Sequence, residues 1–177
     1  SSDLFLDFYV AFQNKQKLGI ITERFGISLK DHLKDGLFNE KEVSLIGKQI
    51  CQGMMYMHDL VYIHRDLKPE NVLMEDFRIK IIDLGESTLN GQSTKFTAGT
   101  LLYSSPESLG NAKPNPGFDV HSLGCLLFEL LNGEVPSQRI RAFGGNPDKK
   151  PTMLYLMYVA RSEEHTSELQ SPCNLVC

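Results

Sequence analysis

The sequence predicts an α+β fold, mostly helical with a few short strands, and three observations carry that expectation. One long segment, Glu40 to Val61, sets Val43, Ile46, Ile50, Met54, Met57 and Val61 three or four residues apart, the stripe of an amphipathic helix. A second, Val120 to Leu131, is apolar nearly all round, as suits a helix at the centre of a domain. The other apolar runs are too short for helices and are bounded by turn residues, which suits strands.

In chain order, residues 4–12 and 17–22 flank the polar Gln13-Asn14-Lys15-Gln16 and read as a β-hairpin. Asn39 is placed to cap the first long helix, with Glu40 and Glu42 on the favourable side of its dipole. Residues 61–63 and 72–74 suit small strands flanking a loop, and Arg78 to Ile82 alternates like another. From Asp83 to Ser105 the chain is rich in Ser, Thr and Gly without period. A loop of that length inside a domain is usually functional or disordered. Pro106 marks a helix start, and Pro114 to Gly117 reads as a turn. Asp119 sits at or just before the start of the second long helix, where its carboxylate can cap free amides. Residues 151–160 carry no pattern that places them.

Composition removes several classes of function. The formal charge is −4 over 177 residues. The last seventeen residues, Arg161 to Cys177, hold one Arg and three Glu, so the preceding 160 carry −2. A nearly balanced domain offers no electrostatic case for nucleic acid or an anionic membrane. No run of about 18 apolar residues occurs, so no membrane span is expected. Cys51 and Cys125 fall within apolar helical patterns, which suits reduced core thiols and an intracellular, cytoplasmic setting rather than a disulfide framework. The tail RSEEHTSELQSPCNLVC is similar to no protein family and resembles a translated short-read sequencing adapter. It is set apart from fold reasoning, and with it go Cys173 and Cys177.

The chemistry gathers in three motifs. His64-Arg65-Asp66-Leu67-Lys68-Pro69-Glu70-Asn71 lies between two expected strands. Asp83-Leu84-Gly85 follows twelve residues beyond Asn71, and Gly99 to Glu107 closes the long loop. In order and spacing these resemble the catalytic loop, the metal-binding Asp-Phe-Gly motif and the end of the activation segment of the eukaryotic-type protein kinase family. The resemblance covers about residues 3–140.

That resemblance implies a transfer of the ATP γ-phosphoryl to Ser/Thr hydroxyls of a protein substrate, with Mg²⁺. Asp66 would orient the acceptor hydroxyl and take its proton, and Lys68 would stabilise charge on the transferring group. Asp83 and the side-chain oxygen of Asn71 would hold the metal, since a hard ion requires oxygen ligands. Thr100 would bond Asp66 and Lys68, and both Thr100 and Lys68 point to Ser/Thr acceptors. Glu23-Arg24-Phe25 resembles the hinge, whose backbone at Glu23 and Phe25 would bond adenine, with Thr22 behind it as gatekeeper and Leu73 beneath. A plain strand end is the alternative for the first of these groups, and a core Leu for the last. Arg65 resembles the arginine that receives an activation-loop phosphate, added by an activating kinase or by autophosphorylation. Thr94 and Thr97 are the foremost acceptors, ahead of Ser87, Thr88 and Ser93. Asp119 resembles the buried Asp that anchors the catalytic loop, which is compatible with capping.

Departures from the family pattern are also visible. Leu84 replaces the usual Phe and is expected to fill the same apolar slot. His121 stands where Trp is common and is read as a core or rim histidine. Glu107 is expected to be a partly buried, unpaired charge. No glycine-rich loop, strand lysine or helix glutamate of the ATP site is visible. Residues 1–160 are therefore read as a partial domain, with 1–25 ending the small lobe and carrying the hinge, 26–160 a partial large lobe, and 161–177 the tail. Alone, such a chain is expected to be inactive and marginally stable. A pseudokinase scaffold and a truncated product without function are the rival readings.

Overall fold

The computed structural model describes residues 2–13, 15, 17–92, 99–109 and 112–142. The expected acceptors Ser93, Thr94 and Thr97, residues 151–160 and the tail lie outside the described residues.

A hairpin comes first. β1 (Phe8–Gln13) pairs antiparallel with β2 (Leu18–Thr22), and every residue of β1 is exposed. The expected strand 4–12 begins later than its hydrophobicity suggests, because Ser2–Leu4 form a 3₁₀ turn and Phe5 bridges instead to Ile81.

Two short elements then carry the chain across, β3 (Ile27–Ser28) and α1 (Leu29–His32). Gly26 joins them to the hairpin at φ 29°, where a Cβ would lie 2.1 Å from the Met74 carbonyl oxygen. Only glycine permits that approach.

The long helix α2 (Glu40–Asp59) starts as its sequence dictates. The Asn39 side chain accepts from the N–H groups of Lys41 and Glu42, and the Glu42 carboxylate accepts from the Asn39 N–H at 2.8 Å, a full capping box. Val43, Ile46, Ile50, Met54 and Met57 are buried as the stripe requires. Val61 is not: the helix ends at Asp59, and Val61 turns outward at φ 61°.

After β4 (Tyr62–Ile63) comes a tight hairpin of β5 (Val72–Glu75) and β6 (Arg78–Ile81). Its two-residue turn is Asp76-Phe77, both left-handed (φ 50° and 58°), the geometry that matches strand twist. β3 adds to β5 as a third strand, and β4 pairs with β7 (Thr88–Leu89). Val72, Met74, Ile79 and Ile81 turn into the core while Leu73 and Lys80, opposite one another, share the other face.

α3 (Pro106–Leu109) begins at Pro106 as expected. α4 (Pro116–Asn132) starts four residues earlier than its apolar run. Asn115 caps it by accepting the Gly117 N–H, and Pro116 occupies the first turn, where no N–H is needed. The Pro114 to Gly117 cluster is thus a helix entry, and Asp119 lies inside the first turn rather than at the cap. α5 (Pro136–Ala142) follows.

One core is sealed between α2, α4 and the β5–β6 hairpin, with Ile46, Ile50, Val72, Leu126 and Leu130 wholly removed from water. Burying each such side chain contributes about 1.5–3 kcal/mol. Cys51 and Cys125 are buried and joined in no disulfide, as expected. No helix among the described residues is long and apolar enough to cross a membrane.

Candidate active site

β4 delivers the chain to a loop that a single carboxylate holds. Asp119, fully buried on α4, accepts the backbone N–H of His64 at 2.9 Å on Oδ2 and that of Arg65 at 2.9 Å on Oδ1. His58 on α2 meets the same Oδ2 through Nε2 at 2.8 Å. This clamp supports Arg65 at φ 71°, a left-handed conformation that costs a non-glycine residue about 1–3 kcal/mol. His64 is itself buried, and burial lowers its pKa. Its ring is therefore neutral, with Nε2 donating to the Ile82 carbonyl (3.2 Å) and Nδ1 accepting the Asp66 N–H (3.3 Å).

The loop presents Asp66, only 8% exposed. Lys68 Nζ stands 2.6 Å from its Oδ2, and Asn71 Nδ2 donates to the same oxygen at 3.1 Å and to the Asp66 carbonyl at 2.8 Å. On Oδ1 it accepts both the backbone N–H (2.9 Å) and the hydroxyl (2.8 Å) of Thr100. Lys68 also reaches the Thr100 hydroxyl at 2.8 Å. Burial works to raise the Asp66 carboxyl, but the hydrogen bonds from Lys68 and Thr100 outweigh it and hold the group below its usual range. Asp66, Lys68, Asn71 and Thr100, chosen from the sequence, form one connected network.

Thr100 reaches this carboxylate because Gly99 lets the two loops touch. At φ 92°, a Cβ on Gly99 would lie 2.3 Å from the Arg65 carbonyl oxygen. Beyond Thr100, Tyr103 is buried and its hydroxyl donates to Glu129 of α4, itself 3% exposed. Lys30 of α1 reaches the other Glu129 oxygen at 2.7 Å. Burial raises the Tyr103 pKa, and the Glu129 hydrogen bond raises that of Lys30. Sequence reading missed Lys30, Tyr103 and Glu129, since pairs 26 and 99 residues apart leave no local pattern.

Asn71 and Asp83 stand at one end of the β5–β6 hairpin, tied by the Ile82 N–H donating to the Asn71 carbonyl at 2.9 Å. Asp83 is exposed and left-handed (φ 61°), and its Oδ1 accepts the Gly85 N–H at 3.3 Å. Both donor bonds of the Asn71 amide go to Asp66, so its oxygen is the end left for a cation. One carboxylate and one amide oxygen fit a hard divalent ion that takes its other ligands from phosphate and water. Among the described residues no cluster of three or more His, Cys, Asp or Glu side chains forms a closed metal cage.

Opposite lies the 22–25 segment. Thr22 is exposed and its hydroxyl donates to the Glu23 carbonyl at 3.1 Å. The Glu23 N–H donates to the Asp7 carbonyl at 2.9 Å, and its carboxylate accepts the Asp7 N–H (2.8 Å) and pairs with Lys80. That hydrogen bond from Lys80 lowers the Glu23 pKa. The Phe25 ring lies under Lys80 and Arg78. Leu73 is half-buried on the same face as Lys80.

At the periphery two expectations are overturned, at Leu84 and Glu107, and His121 is the rim histidine expected. Leu84 is 50% exposed and fills no apolar slot. Glu107 is exposed, so it carries no burial penalty. His121 is a half-buried helix residue whose Nε2 lies 3.3 Å from Cys125 Sγ; burial pushes its pKa down to about 4 and that of Cys125 up to about 12. Arg65 Nη1 donates to the Glu86 carbonyl at 3.4 Å.

Comparison with known proteins agrees with this geometry. An Aurora kinase of Encephalitozoon cuniculi is 36% identical over 138 residues, covering 74% of this chain and 50% of that protein. Sperm motility kinase 2B of Mus musculus is 37% identical over 130 residues, 70% of this chain and 27% of its own. Serine/threonine-protein kinase AFC1 of Arabidopsis thaliana is 30% identical over 155 residues, 70% and 33%. The chain thus spans half or less of the length of these relatives. The protein kinase domain family matches residues 2–174, nearly the whole sequence, and the chain belongs to that family.

Proposed function

We propose that the whole protein transfers the γ-phosphoryl group of ATP to Ser or Thr hydroxyls of a protein substrate. The arrangement around Asp66 carries the reading. Its carboxylate is held ionised and ready to accept a hydrogen bond from an incoming hydroxyl, beside a Lys68 ammonium that can neutralise charge on the transferring group. In the step, the acceptor oxygen bonds to the γ-phosphorus and the bond to the bridging β-γ oxygen breaks. The hydroxyl proton passes to Asp66 and ADP leaves. Mg²⁺, when bound by Asp83 and Asn71, would offset charge on the phosphate oxygens.

Ser/Thr selectivity is supported by the Lys68–Thr100 contact, which sets the Lys68 ammonium between the base and the loop that closes over an acceptor. Adenine is assigned to the backbone at Glu23 and Phe25, above Leu73. Phosphorylation at Thr94 or Thr97, which lie outside the described residues, would supply an anion of the kind that Arg65 could receive.

The test is radiolabelled phosphate transfer from ATP to a mixed protein acceptor by the full-length protein and its Asp66→Asn variant. We expect the variant to lose about 10²- to 10⁴-fold in turnover. Undiminished transfer by D66N would remove Asp66 as base and the assignment with it.

A further inference from the structure

Lys80 lies three residues before Asp83 on β6, directly across the ladder from Leu73. It turns away from the core, yet its side chain is only 14% exposed, because three separate segments close over it. The Glu23 carboxylate, itself 19% exposed, pairs with its ammonium. The Phe5 carbonyl accepts from it at 3.2 Å, and the Phe25 ring centroid lies 5.5 Å from Nζ. Glu23 in turn holds Asp7 through two hydrogen bonds, one from each side of the peptide chain. One cation thus ties the entry to β1, the 22–25 segment and the strand that carries Asp83.

Resting on the nucleotide reading of residues 22–25, we propose that Lys80 is a positioning residue for nucleotide binding, fixing the base-binding segment at a set distance from the phosphate end of the site. A nucleotide bridges Glu23 and Phe25 at its base and Asp83 at its phosphates. Glu23 and Asp83 stand about sixty positions apart in the chain, and Lys80 lies on the strand that leads to Asp83. An ammonium shared by Glu23, Phe5 and Phe25 holds the two ends in register before the nucleotide arrives, so less ordering remains to be done on binding. A flexible stem bearing a point charge suits a joint of this kind, since it can follow small changes of angle without losing its partners.

The experiment measures Mg·ATP binding by titration calorimetry and phosphotransfer kinetics in the full-length protein, for wild type, Lys80→Met and Lys80→Arg. We expect K80M to weaken nucleotide binding and raise KM for ATP about five- to tenfold, with kcat and the KM for the protein acceptor within about twofold. K80R, which keeps the cation, is expected to retain nucleotide affinity to within about twofold of wild type. A role in stability alone would move melting without splitting KM from kcat. Unchanged binding by K80M, or binding weakened as much by K80R as by K80M, overturns the proposal. Binding that follows this pattern without phosphotransfer in wild type would leave Lys80 as proposed and sink the catalytic reading. Intact transfer with K80M indistinguishable from wild type does the reverse.

Discussion

Asp119 holds Arg65 in a left-handed conformation: the buried carboxylate accepts the Arg65 N–H at 2.9 Å while Arg65 keeps φ at 71°. Strain in the loop that presents Asp66 is therefore balanced by a carboxylate on α4 that no solvent reaches. Asp119→Asn keeps the shape but replaces one acceptor oxygen with a donor facing donors. We expect a loss of about 3 kcal/mol in stability, read from the urea midpoint, because removing one partner leaves buried groups unpaired. A midpoint equal to wild type would show that the clamp contributes nothing.

Thr100→Val removes the hydroxyl that Asp66 and Lys68 share but leaves the backbone N–H on Asp66. A hydrogen bond to a charged group contributes about 1.5–3 kcal/mol, so kcat is expected to fall about 10- to 100-fold. The hydroxyl also helps hold Asp66 below its usual range. Without it, the acid limb of the pH–rate profile moves to higher pH. A profile that stays in place while kcat falls would separate Thr100 from the ionisation of Asp66.

His121 gives a pH dependence of stability. Unfolded, it takes up its proton near pH 6.5; folded, burial delays this until about 4. Between those values the unfolded state binds more protons, so the contribution is full above the upper value and is lost as pH falls toward the lower one. The Glu107 carboxylate opposes the shift, and the neighbouring Cys125 thiol is neutral throughout this range. At pH 5 the loss amounts to about 2 kcal/mol. His64 is shifted in the same direction, so the contrast is between proteins. Denaturant midpoints at pH 5 and 7.5 are expected to separate less in His121→Gln than in wild type, and equal separation would rule His121 out.

What could be read from the sequence follows the range of each interaction. Asn39 was legible as a cap because its bonds close over three residues, while the return bond from Glu42, expected only to favour the dipole, came from the structure. Asp66, Lys68, Asn71 and Asp83 were legible as a motif, and the role of Asp119 came from the same resemblance. The start of α4 was not, since Asn115-Pro116-Gly117 serves equally as a turn or as a helix entry. β3 and α1, at two and four residues, are shorter than any period that could reveal them. Glu107 is expected from the resemblance to be partly buried without its usual partner, whereas the structure leaves it exposed to water. Lys80 was invisible as a functional residue: Arg78 to Ile82 alternates like any strand, and its partner Glu23 stands 57 positions away.

The turn at Asp76-Phe77 makes the β5–β6 hairpin a ruler graduated in residues. Asn71 stands just before its first mark and Asp83 just after its last, and antiparallel pairing doubles any error in between. One residue added within either strand would slip the ladder beyond it, send Leu73 or Lys80 to the core face and shift the Asp83 oxygens against those of Asn71. Length here is thus a chemical parameter. A chain can exchange side chains along these strands and keep its spacing, whereas a single-codon insertion within them would leave every residue of the Asp66 network present and move Asp83 out of line with Asn71.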